Sequence, residues 1–345
     1  MSASPPSPSR ALRSLRFLAL ICTALLAAAA CGSSGAPSSA TAASTVPNAG
    51  STFPASVTHK FGTTVVPSAP QRVVSLGYTD QDAILALGVV PVAIREFTGN
   101  RPSATWPWAQ DELQGQQPQV LNGEINLETL AALRPDLIVG VSAGMTREQY
   151  DTYSRIAPTI AQPEGFVDYG APWQDATRLI GAALGKSNEA EKLVTDLESR
   201  FAAVRSDNAE FAGKKAVVAA RSSLDAANYF VWSSQDSRGR FLSSLGFQIP
   251  PEFDQLAGDR FYADISAERL NLLDQSDLVV WITIPGTEGS EIERQPGYPA
   301  LRVGREGRVI TLTEEQGVAL SFGSVLSLPS LLDSLPREIA GRLAA

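Results

Sequence analysis

Histidine occurs once in the 345 residues, at His59, and cysteine twice, at Cys22 and Cys31. So few imidazoles and thiols exclude a zinc finger, a disulfide scaffold and any mechanism that needs several imidazoles. A basic excess is missing too: 28 Lys and Arg against 36 Asp and Glu leave a net charge of −8. Arg10, Arg13 and Arg16 precede everything else of interest, so the remainder carries −11, which argues against a nucleic-acid partner. No apolar run reaches the ~20 residues that span a bilayer. What remains is 44% hydrophobic and 19% charged, long enough for roughly two domains.

The first thirty residues read as an address. Three arginines lead into FLALICTALLAAAA (17–30), a fourteen-residue apolar stretch that ends in alanines before Cys31. This is the layout of a secretory signal peptide over 1–30. Cleavage before Cys31 resembles the lipobox of bacterial lipoproteins, which makes Cys31 the expected site of lipidation and Cys22 part of the discarded signal. The following GSSGAPSSATAASTVPNAGST carries no charge, so 31–55 is expected to be a flexible tether. The expected location is extracytoplasmic, anchored to the outer face of the cell membrane.

Beyond the tether, β-rich runs alternate with helical patterns. RVVSL (72–76), a helix over 80–87, VVPVAI (89–94), a helix over 127–133 and DLIVGV (136–141) form one series. KAVVAA (215–220), YFVW (229–232), a helix near 240–245, a helix over 267–273, DLVVWI (277–282) and RVITL (308–312) form another. Such alternation predicts an α/β fold with mainly parallel central sheets flanked by helices. LETLAALRPDLIVG (127–140) aligns with AERLNLLDQSDLVVWI (267–282), and ILALGVVPV (84–92) resembles FLSSLGFQIP (241–250), each placing Leu-Gly at a helix end before a strand. An internal duplication, and hence two similar lobes, is expected. The boundaries are 56–172 for the first lobe, 173–212 for a linking helical segment and 213–345 for the second. Within the link, Asn188 and Glu191 offer a capping box, and Leu193, Val194, Leu197, Phe201 and Val204 share a face. With no Gly or Pro from 188 to 205, this reads as a stiff helix of roughly 27 Å.

Three chemical motifs fail on inspection. Gly140-Val-Ser142-Ala-Gly144 has the G-x-S-x-G form of a hydrolase nucleophile, but the only histidine lies upstream, so no triad follows and catalytic residues are expected to be absent. Gly181 to Ser187 resembles a phosphate loop with one residue too few and follows a helix, so Gly185 is expected to end that helix. His59, beside Lys60 at the domain edge, reads as an exposed histidine without partners, and no metal site is expected.

The ordered strings PSAPQRVVSL (67–76), DAILALGVVPVAI, NLETLAALRPDLIVG, ISAERLNLLDQSDLVVW and PALRVGREGRVITL together resemble the substrate-binding lipoproteins of iron-siderophore ABC importers, the periplasmic-binding-protein class (class III) with one rigid interlobe helix. The resemblance spans about 57–335. It implies a non-enzymatic monomer that holds a ferric siderophore in the interlobe cleft and hands it to an ABC permease, with no cofactor of its own. The loops implied to touch ligand are 78–79, 95–108, 142–145, 221–223, 233–240 and 283–295. Arginine forks and aromatic walls suit such chelates, which singles out Tyr78, Arg95, Trp106, Trp108, Arg221, Tyr229, Arg238 and Arg240. Glu128 and Glu268, equivalent in the repeat, are implied to dock on the permease. In the loop after Trp281, Glu288, Glu291 and Glu293 would repel an anionic chelate if they faced the cleft. A haem or corrinoid cargo, with Tyr78 or Tyr229 on a haem iron, and a non-transport scaffold are the alternatives on the same fold.

Overall fold

The computed structural model describes residues 53–225, 227–283 and 291–344. The expected signal peptide, Cys31, nearly all of the tether and Glu288 lie outside the described residues. Among those described, no helix is long and apolar enough to cross a membrane.

An antiparallel hairpin comes first, β1 (Ala55–His59) on β2 (Gly62–Val66). His59 is buried in it, contrary to the exposed, partnerless residue expected. Its Nδ1 accepts from the Phe61 amide at 3.2 Å, and its Nε2 lies 2.9 Å from Thr64 Oγ1, which itself donates to the Thr159 carbonyl. Both ring nitrogens are engaged within the hairpin, which Thr64 ties to the first lobe, and burial followed by the nearby Arg147 charge holds the imidazole pKa below the usual value.

The first lobe is a five-stranded parallel sheet of β3 (Val73–Ser75), β4 (Ala93–Arg95), β5 (Gln119–Leu121), β6 (Leu137–Gly140) and β7 (Thr159–Ala161), in the order β5-β4-β3-β6-β7. The second contains β8 (Ala216–Arg221), β9 (Asn228–Trp232), β10 (Tyr262–Ser266), β11 (Leu278–Trp281) and β12 (Val309–Thr311), in the order β10-β9-β8-β11-β12. Numbered within each lobe, both orders are 3-2-1-4-5, as a duplication requires. The senses differ, because β9 is antiparallel to β8 and to β10. Connection length decides this: residues 222–227 are too few for the crossover of a dozen or more residues that a parallel pair needs, whereas 76–92 hold the helix Asp80–Ala86. The duplicated segments occupy equivalent positions, although the helix before β11 is a 3₁₀ helix, Ala267–Gln275. After Gly246, the strand expected on the pattern of 84–92 shrinks to one bridge, Lys215 to Gln248.

Two helices join the lobes. Trp173–Ala183 ends before Gly185, whose φ of +68° makes the left-handed turn, and Ser187–Asp207 runs for 21 residues, about 31 Å. The latter starts one residue before the expected capping box, with Lys186 at the cap and no side-chain cap bond. Its buried face is Ala190, Val194, Leu197 and Phe201. A Cβ on Gly181 would lie 2.3 Å from the Ala190 Cβ, so the glycine that suggested a phosphate loop exists to let these helices touch.

Candidate ligand-binding cleft

In parallel α/β sheets, a crevice opens beyond the carboxyl ends of the strands where the strand order reverses. In the first lobe that point lies between β3 and β6, and the segments leaving them carry Tyr78 and Thr79, and Val141 and Ser142. Asp80, buried at the start of the next helix, ties the two together. It accepts from the Val141 amide at 2.7 Å, from the Ser142 amide at 2.9 Å and from Ser142 Oγ at 2.6 Å. Burial pushes its carboxyl up to about 6, against the lowering effect of those bonds. Ser142 of the G-x-S-x-G string is thus a wall-building residue, and Gly144, at φ +57°, leaves room for the Tyr169 ring, which a Cβ would approach to 2.3 Å.

Between the lobes lies a cavity of about 260 Å³. The first lobe contributes Tyr78, Thr79, Phe97, Val141, Ser142 and Tyr169, the second Asp236, Ser237, Arg238, Phe261 and Ser321 to Gly323, and the linking segment Trp173. Its walls are aromatic. Tyr78 stacks on Tyr169 with centroids 6.1 Å apart and meets Phe97 at 5.2 Å, and the Arg95 guanidinium sits 4.3 Å from the Tyr78 ring centre. Tyr169 crosses to Phe261 at 5.7 Å, and Phe97 to Phe322 at 5.4 Å, so rings of both lobes form one continuous lining. Burial and then the Tyr78 neighbour hold the Tyr169 hydroxyl above the usual tyrosine value.

The structure brings only some of the expected residues together. Tyr78 and Arg238 line the cavity, and Arg95 backs it through Tyr78. Trp106 is 1% exposed, donates Nε1 to the Thr98 carbonyl at 3.1 Å and stacks on Trp108. Trp108 donates to Asp82 Oδ2 at 2.9 Å and packs edge-on against Phe322. Both tryptophans lie behind the lining and hold the lobes together. Asp82 also accepts from Ser324 Oγ, beyond Phe322, and burial pushes its carboxyl up to about 7. Arg240 reaches across to the Gly170 carbonyl, outside the cavity lining, and burial pulls its pKa below the usual arginine value.

Arg221 and Tyr229 are misplaced by the sequence reading, and the reversed strand is the reason. They pair across β8 and β9 at one end of these strands, whereas the 233–240 loop leaves β9 at the other end, roughly 13 Å along the strand. Tyr229 is 2% exposed, and its hydroxyl meets Gln295 Oε1 at 3.1 Å, so it is a core residue and no candidate haem ligand. The described part of 283–295 does not line the cavity either. Glu291 faces Arg294 at 3.6 Å and Glu293 is exposed, so neither opposes an anion in the cleft. Sequence reasoning missed Tyr169, Trp173, Phe261 and the 321–323 segment; the available signal was the aromatic and Gly/Pro density of GFVDYGAPW (165–173). Glu128 and Glu268 are both exposed, each in the first turn of its helix.

Residues 73–316 match a family model described as periplasmic binding protein. The chain is 27% identical over 247 residues to a Bacillus subtilis (strain 168) protein named "Probable siderophore-binding lipoprotein YfiY", covering 69% of this chain and 71% of that one. A periplasmic solute binding protein from Mycobacterium smegmatis str. MC2 155 has a similar structure, at 36% identity and a TM-score of 0.72 over 84% of this chain and 98% of that one. Staphylococcus aureus SirA complexed with staphyloferrin B follows at 25% and 0.70, over 82% and 98%.

Proposed function

The chain belongs to the periplasmic binding protein family, and from that premise we propose that it captures a ferric siderophore in the interlobe cleft and delivers it to an ABC permease. It is a binding protein and not an enzyme. The iron arrives with its coordination filled by the chelator, so the cleft needs neither imidazole ligands nor a resident cofactor. The observation that carries this reading is the aromatic lining shared by both lobes, with the half-buried Arg95 cation on the face of Tyr78. Flat, conjugated chelate faces stack on such rings, and Tyr78, Thr79 and Ser237 add hydroxyls to the lining that suit chelate oxygens.

The protein works outside the cytoplasm. Lipidation of Cys31 agrees with the lipoprotein naming of the Bacillus relative, and incorporation of labelled palmitate, lost in Cys31→Ser, checks it. The exposed Glu128 and Glu268, at equivalent places in the two lobes, suit a partner built of two similar halves.

Trp173 in the cavity wall provides the readout for the cargo. Titration of the full chain in detergent with ferric siderophores should give saturable quenching, absent with iron-free chelators. Tyr78→Ala should weaken binding by about tenfold or more, the scale of a lost stacking contact. The absence of saturable binding by any ferric chelate, in fluorescence and in calorimetry alike, would overturn the reading.

A further inference from the structure

Resting on that reading of the cleft, we infer that the preferred cargo is an uncharged or singly charged ferric chelate of the trihydroxamate class, and that polyanionic ferric chelates are disfavoured. Among the described residues only two ionisable charges, Asp236 and Arg238, line the cavity, and they cancel. Arg238 Nη1 lies 3.0 Å from each carboxylate oxygen of Asp236, its Nε donates to Ser321 Oγ at 3.2 Å, and its plane sits 4.4 Å from the Trp232 ring centre. Asp236 also caps the helix Ser237–Ser244 by accepting from the Arg238 amide. The guanidinium is therefore engaged through Nε and Nη1 and on one face, and its charge is neutralised by Asp236.

The groups behind the lining do not restore a positive field. Arg95 has no carboxylate within ion-pair distance among the described residues and lies on the face of Tyr78, and Arg240, also without an ion pair there, is turned outside the lining onto the Gly170 carbonyl. Against Arg95 stands Asp80, directly behind Ser142. Glu96, next to Arg95, accepts from the Asn100 amide at 3.1 Å, and Asp82 lies deeper, bonded to Trp108 and Ser324. At the rim, Lys60 is paired with Asp168 at 2.6 Å and Arg101 with Glu314 at 3.8 Å. A trianionic tris-catecholate or an anionic citrate chelate would exchange its hydration for a cavity whose described lining is backed by one unpaired cation, Arg95, a transfer that low-dielectric surroundings penalise heavily. A neutral trihydroxamate incurs no such penalty, and its outward oxygens find tyrosine, threonine and serine hydroxyls.

The test compares three chelates on the full chain in detergent, by calorimetry and by tryptophan quenching: ferrichrome, which is neutral, ferric enterobactin, which is trianionic, and ferric dicitrate. Ferrichrome is expected to bind at least about 100-fold more tightly than either anion, with a Kd that changes by less than about twofold between low and half-molar salt, because no net charge is there to be screened. Asp236→Asn keeps the helix cap and frees the Arg238 charge, so it should narrow the gap between ferrichrome and enterobactin by about tenfold. Equal or tighter binding of either anion, weakening as salt rises, would overturn the charge class while leaving the siderophore reading intact. An unchanged gap in Asp236→Asn would overturn the account of how Arg238 is neutralised. Failure of all three chelates, and of every other ferric siderophore, to bind would overturn the reading on which the inference stands.

Discussion

Asp80 and Asp82 lie two residues apart on one helical turn, and each is buried, but they tie down different partners: one the β6 loop, the other the second lobe through Ser324. Their folded pKa values, about 6 and about 7, stand above the unfolded value near 3.8. The folded state therefore holds protons that the unfolded chain has already released. The resulting stability is present below pH 4 and is lost as pH rises through 6 and 7, the reverse of an ion-paired carboxylate. Melting temperature should fall from pH 5 to pH 8. In Asp82→Asn the share lost between pH 4 and pH 7 disappears, so the variant should gain on the order of 2–3 kcal/mol relative to the parent from pH 5 to pH 8, at about 1.4 kcal/mol per pH unit. Any constant cost of the amide cancels in the comparison, and parallel melting curves at all pH values would refute the assignment.

Among the elements, the two linking helices meet closely where Gly181 faces Ala190. Gly181→Ala should cost about 1–3 kcal/mol in urea denaturation, the usual price of overpacking. Adding Ala190→Gly should recover most of that loss, and no recovery would mean that the strain lies elsewhere, for instance at the Lys186 carbonyl 3.1 Å away. The long helix was legible because five apolar residues at helical spacing outweigh a misread cap. RVVSL, DLIVGV and DLVVWI were legible as continuous apolar runs. β5, β7 and β10 were not: QVL and TIA are three residues long, and YADIS hides its buried Ala263 and Ile265 between polar neighbours. That failure propagated to the site, because Tyr169 lies in the segment after β7 and Phe261 directly before β10. Conversely, Trp106 and Trp108 stood in the right loop, and no periodicity tells a tryptophan facing a cavity from one packed behind it.

At the scale of the whole molecule, the two halves were readable as copies from the alignment of 127–140 with 267–282, and their shared strand order agrees. The reversal of β9 was readable in principle from the few residues between KAVVAA and YFVW, a length that excludes a crossover helix. That short turn also makes the halves unequal in time. Pairing Arg221 with Tyr229 closes a loop of only a few residues, whereas β3 and β4 meet across seventeen, and β3 and β6 across more than sixty. Loop-closure entropy and contact order place this pairing ahead of the parallel pairings of the first lobe's sheet. In a refolding experiment with pulsed deuterium labelling, the amides of β8 and β9 should gain protection before those of β3 and β6. The later half of the chain would then be the template on which the earlier half condenses, and a chain emerging from the translocation channel amino end first would keep its first lobe waiting for the second.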